Sequence, residues 1–325
     1  TDSCETKYND DGSRVGSQEE AGDEQPPTNS IRTVKKKTHL ELDTEEWQRL
    51  GAEIDEFKTE MRGDKLKLIN KLLDTEGYVS HQLNYFADIL RIQDKLNNTN
   101  INSGFRYREY VRNEIRANTP FDEFVQKLIA AEGAYYDSGN EAIGFYLRDR
   151  GMPLDNLANT VQVFLGTRLE CAMCHDHPFD QWTQDDYYSF ASFFSQVGRK
   201  RGADPRESII YNCNSGEINH PIHKKPMPPK FLGGETPDIK KGTDRRKVLA
   251  DWLASPDNPF FARNLANIVW SHFFGQGIIE PVDDVRISNP PSNPELLDKL
   301  ASQFTEYNYD FKKLVRDVCN SRAYQ

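Results

Sequence analysis

The residues with the clearest chemical potential lie together in one short segment, Cys171-Ala-Met-Cys174-His175. This is the C-x-x-C-H spacing at which c-type haem is attached. Two thiols three residues apart lie on one helical turn and can reach the two vinyl groups on one edge of a porphyrin, and the histidine that follows can bind the iron. With five cysteines and seven histidines among 325 residues, the pattern rarely arises by chance. It predicts one covalently bound haem c, with His175 as the proximal iron ligand.

Two other kinds of site use a close cysteine pair. A thioredoxin-like pair follows a β-strand in a βαβ unit, whereas here an apolar stripe at helical spacing over residues 154–170 precedes the motif. A zinc site needs donors on all sides of the ion, and the donors of this segment, which ends at His177, are too close in sequence to provide them. His220 or Cys213 could complete such a site. A zinc site and a redox-active or structural pair therefore stay as alternatives to haem.

The second axial ligand of the iron has four candidates, His220, His223, His272 and Met227. We place His220 first, because it lies in an irregular downstream segment that can fold over a haem. His272 comes second and lies in an aromatic helical stretch, VWSHFF. Met173 and His177 are too near the proximal ligand to reach the opposite face. For each single histidine, the alternative is an ordinary surface or core imidazole.

Residues on both sides of the motif can line a haem. Arg168, one turn before Cys171, is a candidate partner for a propionate. Trp182 and the aromatic residues after it can exclude water from the iron, which raises the reduction potential. These aromatic residues are Tyr187, Tyr188, Phe190, Phe193 and Phe194. The alternative is an ordinary helix core, and the two interpretations are compatible.

The elements that position the motif are predicted to be mainly helical. Residues 1–38 form a polar, acidic segment that we expect to be disordered. Residues 39–200 read as a helical domain with the C-x-x-C-H motif, and residues 243–325 as a second helical domain. Residues 201–242 contain Pro/Gly-rich and β-prone stretches and read as a connector. The prediction is a mainly α fold, with two helical lobes joined by an irregular connector with a few short strands.

Two long stretches of the sequence resemble a known pair of domains. VFLGTRLECAMCHDHPFDQWTQDDYYSFASFF and the upstream GFRYREYVRNEIRANTPFDEFV resemble the planctomycete cytochrome-c-like domain family, a domain of unknown function. RRKVLADWLASPDNPFFARNLANIVW resembles the partner domain that usually follows it. The resemblance covers most of residues 65–325 and implies haem binding and export more strongly than any reaction. It also leads us to expect further helical sequence beyond residue 325.

Composition limits the classes of partner. The net charge of -10 argues against nucleic acid, since phosphate binding needs clustered Lys and Arg. No stretch approaches the roughly 18–20 apolar residues of a membrane span.

We expect a periplasmic or extracellular location, because bacteria attach haem c outside the cytoplasm. No signal peptide is visible, which does not oppose export in a chain that starts at Thr1. Cys213 and Cys319 could form a disulfide in such a compartment.

The function expected from these features is that of an exported single-haem c-type cytochrome. It would pass electrons to a redox partner protein or within an envelope assembly. The first alternative is a haem enzyme with an open iron site that reacts with peroxide or another small oxidant. The second is an envelope scaffold protein in which haem or zinc is structural. No nucleophile elbow, phosphate-binding glycine loop or HExxH motif is present. We expect an electron-transfer protein rather than a catalyst.

Overall fold

The computed structural model describes residues 48–49, 52, 65–96, 103–137, 139–149, 152–204 and 207–324. The acidic segment 1–38 lies outside the described residues, so its predicted disorder stays a prediction. The chain divides into two compact units near residue 70, and Asn70–Gln325 belong to the larger one. The site and the contacts discussed below all lie within this larger unit.

Most of the described chain is helical, which confirms the predicted fold class. The α-helices are α1 (Lys65–Leu73), α2 (Glu76–Ile89), α3 (Gly104–Ala117), α4 (Phe121–Ile129), α5 (Gly144–Leu147), α6 (Pro153–Thr160), α7 (Gln184–Ala191), α8 (Arg245–Ala254), α9 (Phe261–Phe274), α10 (Pro294–Glu306) and α11 (Phe311–Asn320). Short 3₁₀ turns occupy Glu141–Ile143 and Glu170–Met173, and a π turn occupies Val161–Leu165.

A small antiparallel sheet joins the connector to the N-terminal helical region. Its strands are β1 (Gly133–Ala134), β2 (Val197–Arg201) and β3 (Ser208–Asn212), in the order β1-β3-β2. The β-prone SIIYN of the connector forms β3, as expected. Ile210 of the central strand pairs with Gly133 on one side and Arg199 on the other, and its side chain is fully buried. The few short strands of the predicted fold are therefore present.

Helices from before and after the connector share one core. α8 packs against α4, and Phe121 at the start of α4 stacks on Phe261 of α9 with ring centroids 5.7 Å apart. Phe311 of α11 lies against the same Phe121 ring at 6.3 Å. Burying these aromatic rings removes a large apolar area from water, which is the main term that stabilises such a core. The predicted domain limits stay predictions, but the two helical regions share this apolar interior.

The sequence predicts one helix over residues 154–170, and this prediction is wrong at its C-terminal part. Regular α-helix ends at Thr160, and the π turn that follows ends at Gly166. Gly166 has a positive φ of 68°, and a Cβ there would lie 2.4 Å from the Asn264 side-chain oxygen. Asn264 also donates to the Val163 carbonyl at 2.9 Å. This contact with α9 bends the chain just before the cysteine motif.

A buried arginine at the start of α8 connects this helix to the N-terminal helical region. The Arg246 side chain is 1% exposed, and its Nε and Nη2 donate to the Asp244 carboxylate at 3.0 and 2.6 Å. Its Nη1 donates to the carbonyl of Ala131 at 2.7 Å, and its guanidinium lies 5.3 Å from the centre of the Tyr146 ring. The charge is thus paired, hydrogen-bonded and placed over an aromatic ring, which offsets its desolvation.

Replacing Arg246 with Met should lower the free energy of unfolding by about 3–5 kcal/mol, because Asp244 would be left buried without its counter-ion. Urea unfolding followed by circular dichroism measures this. Arg263→Met is the matched control: Arg263 pairs with Asp298 at 2.6 Å at the surface, where such a pair contributes about 0–1 kcal/mol. Equal losses in the two variants would contradict the role given to Arg246.

Candidate haem-attachment site

The cysteine motif forms a short turn on the surface of the larger unit. Glu170–Met173 make one 3₁₀ turn directly after the bend at Gly166. Ala172 is fully buried and holds the turn against the core, whereas Cys171 and Cys174 are exposed and carry thiols. Both cysteine side chains therefore face solvent on a turn that the buried Ala172 holds against the core.

His175 is also exposed, and its ring has one nitrogen engaged. Nδ1 lies 2.7 Å from the carbonyl oxygen of Asp176. A carbonyl only accepts hydrogen bonds, so Nδ1 carries the proton and Nε2 carries the lone pair. A hydrogen bond at the ring nitrogen that does not bind the metal orients the imidazole and strengthens it as a donor. The donor set of two thiols and an Nε2 lone pair therefore fits the attachment of haem c.

Helix α7 fixes the motif through its first two turns. The carbonyl of Met173 accepts hydrogen bonds from Gln184 Nε2 at 2.8 Å and from the Tyr188 hydroxyl at 3.1 Å. The Asp176 carboxylate accepts a hydrogen bond from the backbone N–H of Gln184 at 2.9 Å. These bonds hold the backbone on both sides of Cys174, so the spacing of the motif is rigid as well as short.

The start of α7 is itself stabilised by a capping box. The Thr183 hydroxyl oxygen accepts from the N–H of Asp186, and the Asp186 carboxylate accepts from the N–H of Thr183. Lys230 Nζ donates to the same carboxylate at 2.9 Å. Burial raises the pKa of the Asp186 carboxyl, but the hydrogen bonds from Lys230 and Thr183 outweigh burial, so this pKa lies below its ordinary value. Asp186 is therefore charged at neutral pH and supports the helix that holds the motif.

The structure places Trp182 and His177 beside the motif in structural roles. The Trp182 carbonyl accepts from the N–H of His177 at 2.8 Å, and the His177 ring accepts from the N–H of Phe179 at 3.2 Å. The indole of Trp182 is buried, and its centroid lies 6.2 Å from that of Phe260. The indole N–H is buried without a hydrogen-bond partner among the described residues. The predicted contact of Trp182 with haem stays a prediction.

His220 is close to the motif but its ring is fully engaged. It is 2% exposed, and its Nδ1 accepts from the backbone N–H groups of Ile222 and His223 at 3.1 and 3.3 Å. Its Nε2 lies 3.3 Å from an Asp185 oxygen. The Tyr188 ring, whose hydroxyl binds the Met173 carbonyl, packs edge-on against His220 at 5.6 Å. In this conformation neither nitrogen of His220 is available to an iron.

Two other candidate distal ligands, His272 and Met227, have contacts of their own. Nε2 of His272 lies 2.8 Å from Nε2 of His81. Burial and the neighbouring His81 lower the pKa of His272. Met227 lies behind α7, where its N–H donates to the Ile218 carbonyl and its carbonyl accepts from the Ser192 hydroxyl at 2.7 Å. The assignment of His220, His272 or Met227 as the distal ligand stays a prediction.

Arg168, the candidate propionate partner, already has a counter-ion. Its Nη2 donates to Asp283 at 2.5 Å, and Gln162 donates to the other oxygen of the same carboxylate at 2.5 Å. Burial raises the pKa of Asp283, but the hydrogen bonds from Arg168 and Gln162 hold it below its ordinary value. A propionate would therefore have to compete with a charged carboxylate or share the guanidinium with it.

Comparison with known families divides the chain in the same order as the resemblance. Residues 50–199 match the model of a family described as PSCyt2, a protein of unknown function (DUF1549). Residues 245–325 match the model described as PSD1, a protein of unknown function (DUF1553). The two matched families are a known pair of domains of unknown function. The motif, α7 and their hydrogen bonds lie in the first match, and α8 to α11 lie in the second. No curated protein and no solved structure matches the chain.

Sequence reasoning missed an apolar patch that follows the motif. Phe179 is 64% exposed and Ile287 is 69% exposed. The Ser288 hydroxyl donates to the Phe179 carbonyl at 3.0 Å, and the Arg286 guanidinium lies 5.9 Å from the centre of the Phe179 ring. The signal for Phe179 is present in HPFDQW, but the loop that brings Ile287 beside it is more than a hundred residues away.

The structure also corrects the suggested disulfide. Cys213 is disulfide-bonded, whereas Cys319 carries a thiol on α11. A bridge between Cys213 and Cys319 is therefore wrong.

Among the residues that the structure describes, no group of three or more His, Cys, Asp or Glu side chains could hold a metal ion. None of the described helices is long and apolar enough to span a bilayer.

The charge of Asp186 should make the support of the motif sensitive to acid. A carboxyl whose folded-state pKa is lowered stabilises the fold above its unfolded-state pKa, near about 3.9, and this contribution is lost as the pH falls through the folded-state value. Asp186→Asn should therefore lower the free energy of unfolding by about 1 kcal/mol at pH 7, and the difference from wild type should shrink below about pH 4. Urea unfolding at several pH values measures it.

The exposed Asp257 supplies the control for this experiment. Asp257→Asn should leave the difference from wild type small at every pH, since surface substitutions of this kind change stability little. A difference for Asp186→Asn that stays constant down to the acid limit would show that its charge does not support α7.

Proposed function

We propose that the chain is a c-type cytochrome with one haem bound covalently through Cys171 and Cys174, with His175 as the proximal ligand. The observation that carries this proposal is the geometry of the motif. Two exposed thiols and an exposed imidazole with its Nε2 lone pair lie on one turn, which α7 holds through Met173 and Asp176. A redox-active pair alone would not require a histidine oriented in this way.

Each residue has a defined task in this proposal. Each thiol adds across one vinyl group, so that sulfur bonds to one carbon and the thiol proton goes to the other. The Nδ1–H bond of His175 to the Asp176 carbonyl fixes the ring plane. When bound, the haem supplies a one-electron redox centre. Because all three side chains are exposed, both the attachment machinery and a redox partner protein can approach them.

The planctomycete cytochrome-c-like resemblance supports the same proposal. The resemblance rests on the sequence around the motif, so it is a separate line of support from the hydrogen bonds of His175, Met173 and Asp176. It implies a periplasmic or extracellular location, because haem c is attached outside the cytoplasm. The proposed role is electron transfer to a redox partner or within an envelope assembly.

One observation favours a second candidate function, a haem enzyme with an open sixth position. Both ring nitrogens of His220 and the Nε2 atom of His272 already have partners. Binding His220 to iron through Nε2 would place its proton on Nδ1, so the ring would lose its hydrogen bonds from two backbone N–H groups, at a cost of about 0.5–1.5 kcal/mol each. An iron without a sixth protein ligand can bind a small oxidant such as peroxide.

Covalent haem attachment is tested by mass and colour. The protein, produced in the periplasm together with a bacterial haem c maturation system, should be red, and its intact mass should exceed the sequence mass by one haem. The haem should stay with the protein in acid-acetone. Replacing Cys171 and Cys174 with Ser should abolish both signals, whereas Cys319→Ser, on α11, should retain them. A colourless wild-type protein containing one zinc ion would overturn the haem proposal in favour of the zinc site.

The sixth position is tested by the spin state of the ferric protein. We expect a high-spin absorption spectrum in the wild type, unchanged in His220→Ala and His272→Ala, because neither ring is available in this structure. Rapid cyanide binding would support the open site. A low-spin spectrum that becomes high-spin in only one of these variants would instead identify that histidine as the ligand. A near-infrared Met-to-iron band, lost in Met227→Ala, would identify Met227. Asp257→Asn, at an exposed position, serves as the control for general disturbance.

A further inference from the structure

Two histidines outside the cysteine motif meet at the surface of the helical core. His81 lies on α2 and His272 on α9, and their Nε2 atoms are 2.8 Å apart. The ring centroids are 4.9 Å apart, with the planes inclined by 54°. The rings therefore meet at their nitrogen atoms and are not stacked on each other.

This contact is a hydrogen bond that requires opposite roles of the two rings. One Nε2 carries a proton and donates it, while the other Nε2 presents its lone pair. The accepting ring is therefore a neutral imidazole, the form that binds metal ions. His81 is exposed and His272 is half-buried, so the pair has solvent on one side and a fixed support on the other.

The surroundings of the pair hold His272 in place without adding a charged donor. The ring of Tyr85 lies 4.7 Å from that of His272, and the ring of Phe273 lies 5.3 Å from it. Burial and the nearby Asp283 raise the pKa of Tyr85 to about 12. The Tyr85 hydroxyl therefore keeps its proton at neutral pH, and Tyr85 acts as a wall of the site and not as a phenolate ligand.

We propose that His81 and His272 form a binding site for a divalent transition-metal ion of the zinc or copper class, held by the two Nε2 atoms. Bonds of about 2.0–2.1 Å at a tetrahedral angle place two ligand nitrogens about 3.3 Å apart. The two Nε2 atoms therefore have to move apart by about half an ångström, and the rings have to turn so that both lone pairs point at the ion, a change that the exposed His81 side chain allows. Copper(II) should bind more tightly than zinc, as imidazole sites generally favour it.

Binding keeps the proton count of the two neutral rings unchanged. The ring that donated through Nε2 moves its proton to Nδ1, and the accepting ring already has its proton there. Each Nε2 then gives its lone pair to the ion. Because the described residues supply no third His, Cys, Asp or Glu to this pair, water or an external ligand completes the coordination. The bound ion links α2 to α9 and stabilises the folded state by linkage.

The test uses zinc chloride with the full chain in which Cys171 and Cys174 are replaced by Ser, so that these thiols do not bind the probe. The midpoint of thermal unfolding should rise with zinc concentration, and calorimetric titration should give one ion per chain. His81→Ala should weaken zinc binding by more than about tenfold and remove the thermal shift. His81 is exposed, so this variant should fold even if His272→Ala does not. His223→Ala, which removes an exposed histidine elsewhere, should keep both signals.

Copper(II) gives a second, independent readout. Its electron paramagnetic resonance spectrum should show nitrogen coupling from two imidazoles, reduced to one in His81→Ala. Unchanged zinc binding in His81→Ala, or no binding to the unsubstituted pair, would overturn the proposal. Either result would leave the proposed haem attachment through Cys171, Cys174 and His175 untouched, because the zinc site contains none of these residues and the thiols are absent from the test protein.

Discussion

The geometry of the cysteine motif depends on hydrogen bonds that reach it from α7. A C-x-x-C-H sequence by itself is a flexible surface loop with two reactive thiols and an imidazole. Here the carbonyl of Met173 accepts from Gln184 and Tyr188, and the carboxylate of Asp176 accepts from the N–H of Gln184. Three bonds to one helix fix the backbone around Cys174 without covering its thiol. The chemistry of the segment is thereby kept accessible while its shape is fixed.

The support continues outward from α7 in layers. Its first turn is capped by Thr183 and Asp186, and Lys230 of the connector binds the same carboxylate. The Tyr188 ring packs edge-on against the His220 ring. Nδ1 of His220 in turn accepts a hydrogen bond from the connector backbone. The connector, which reads in sequence as an irregular linker, therefore has a definite structural role. It closes over α7 and immobilises the helix that holds the motif.

The sequence predicts the local features well because they rest on neighbouring residues. The C-x-x-C-H spacing, the helical nature of most segments and the short strand at SIIYN follow from residue types a few positions apart. The bend at Gly166 was not predicted, because it depends on Asn264, almost a hundred residues later. The His81–His272 contact was missed for the same reason, since it joins residues 191 positions apart. Partners of this kind are set by packing and leave no periodic signal.

The packing of α4 against α8 bears on whether the two family-matched segments can fold separately. The two family matches end and begin on either side of the connector, yet the apolar face of α4, with Val125, Leu128 and Ile129, is covered within an interior to which α8 contributes Leu249 and Leu253. Neither segment can bury its own apolar surface without the other. In this chain the two matched segments are therefore parts of one hydrophobic interior, and either segment produced alone would expose apolar residues that the other segment covers.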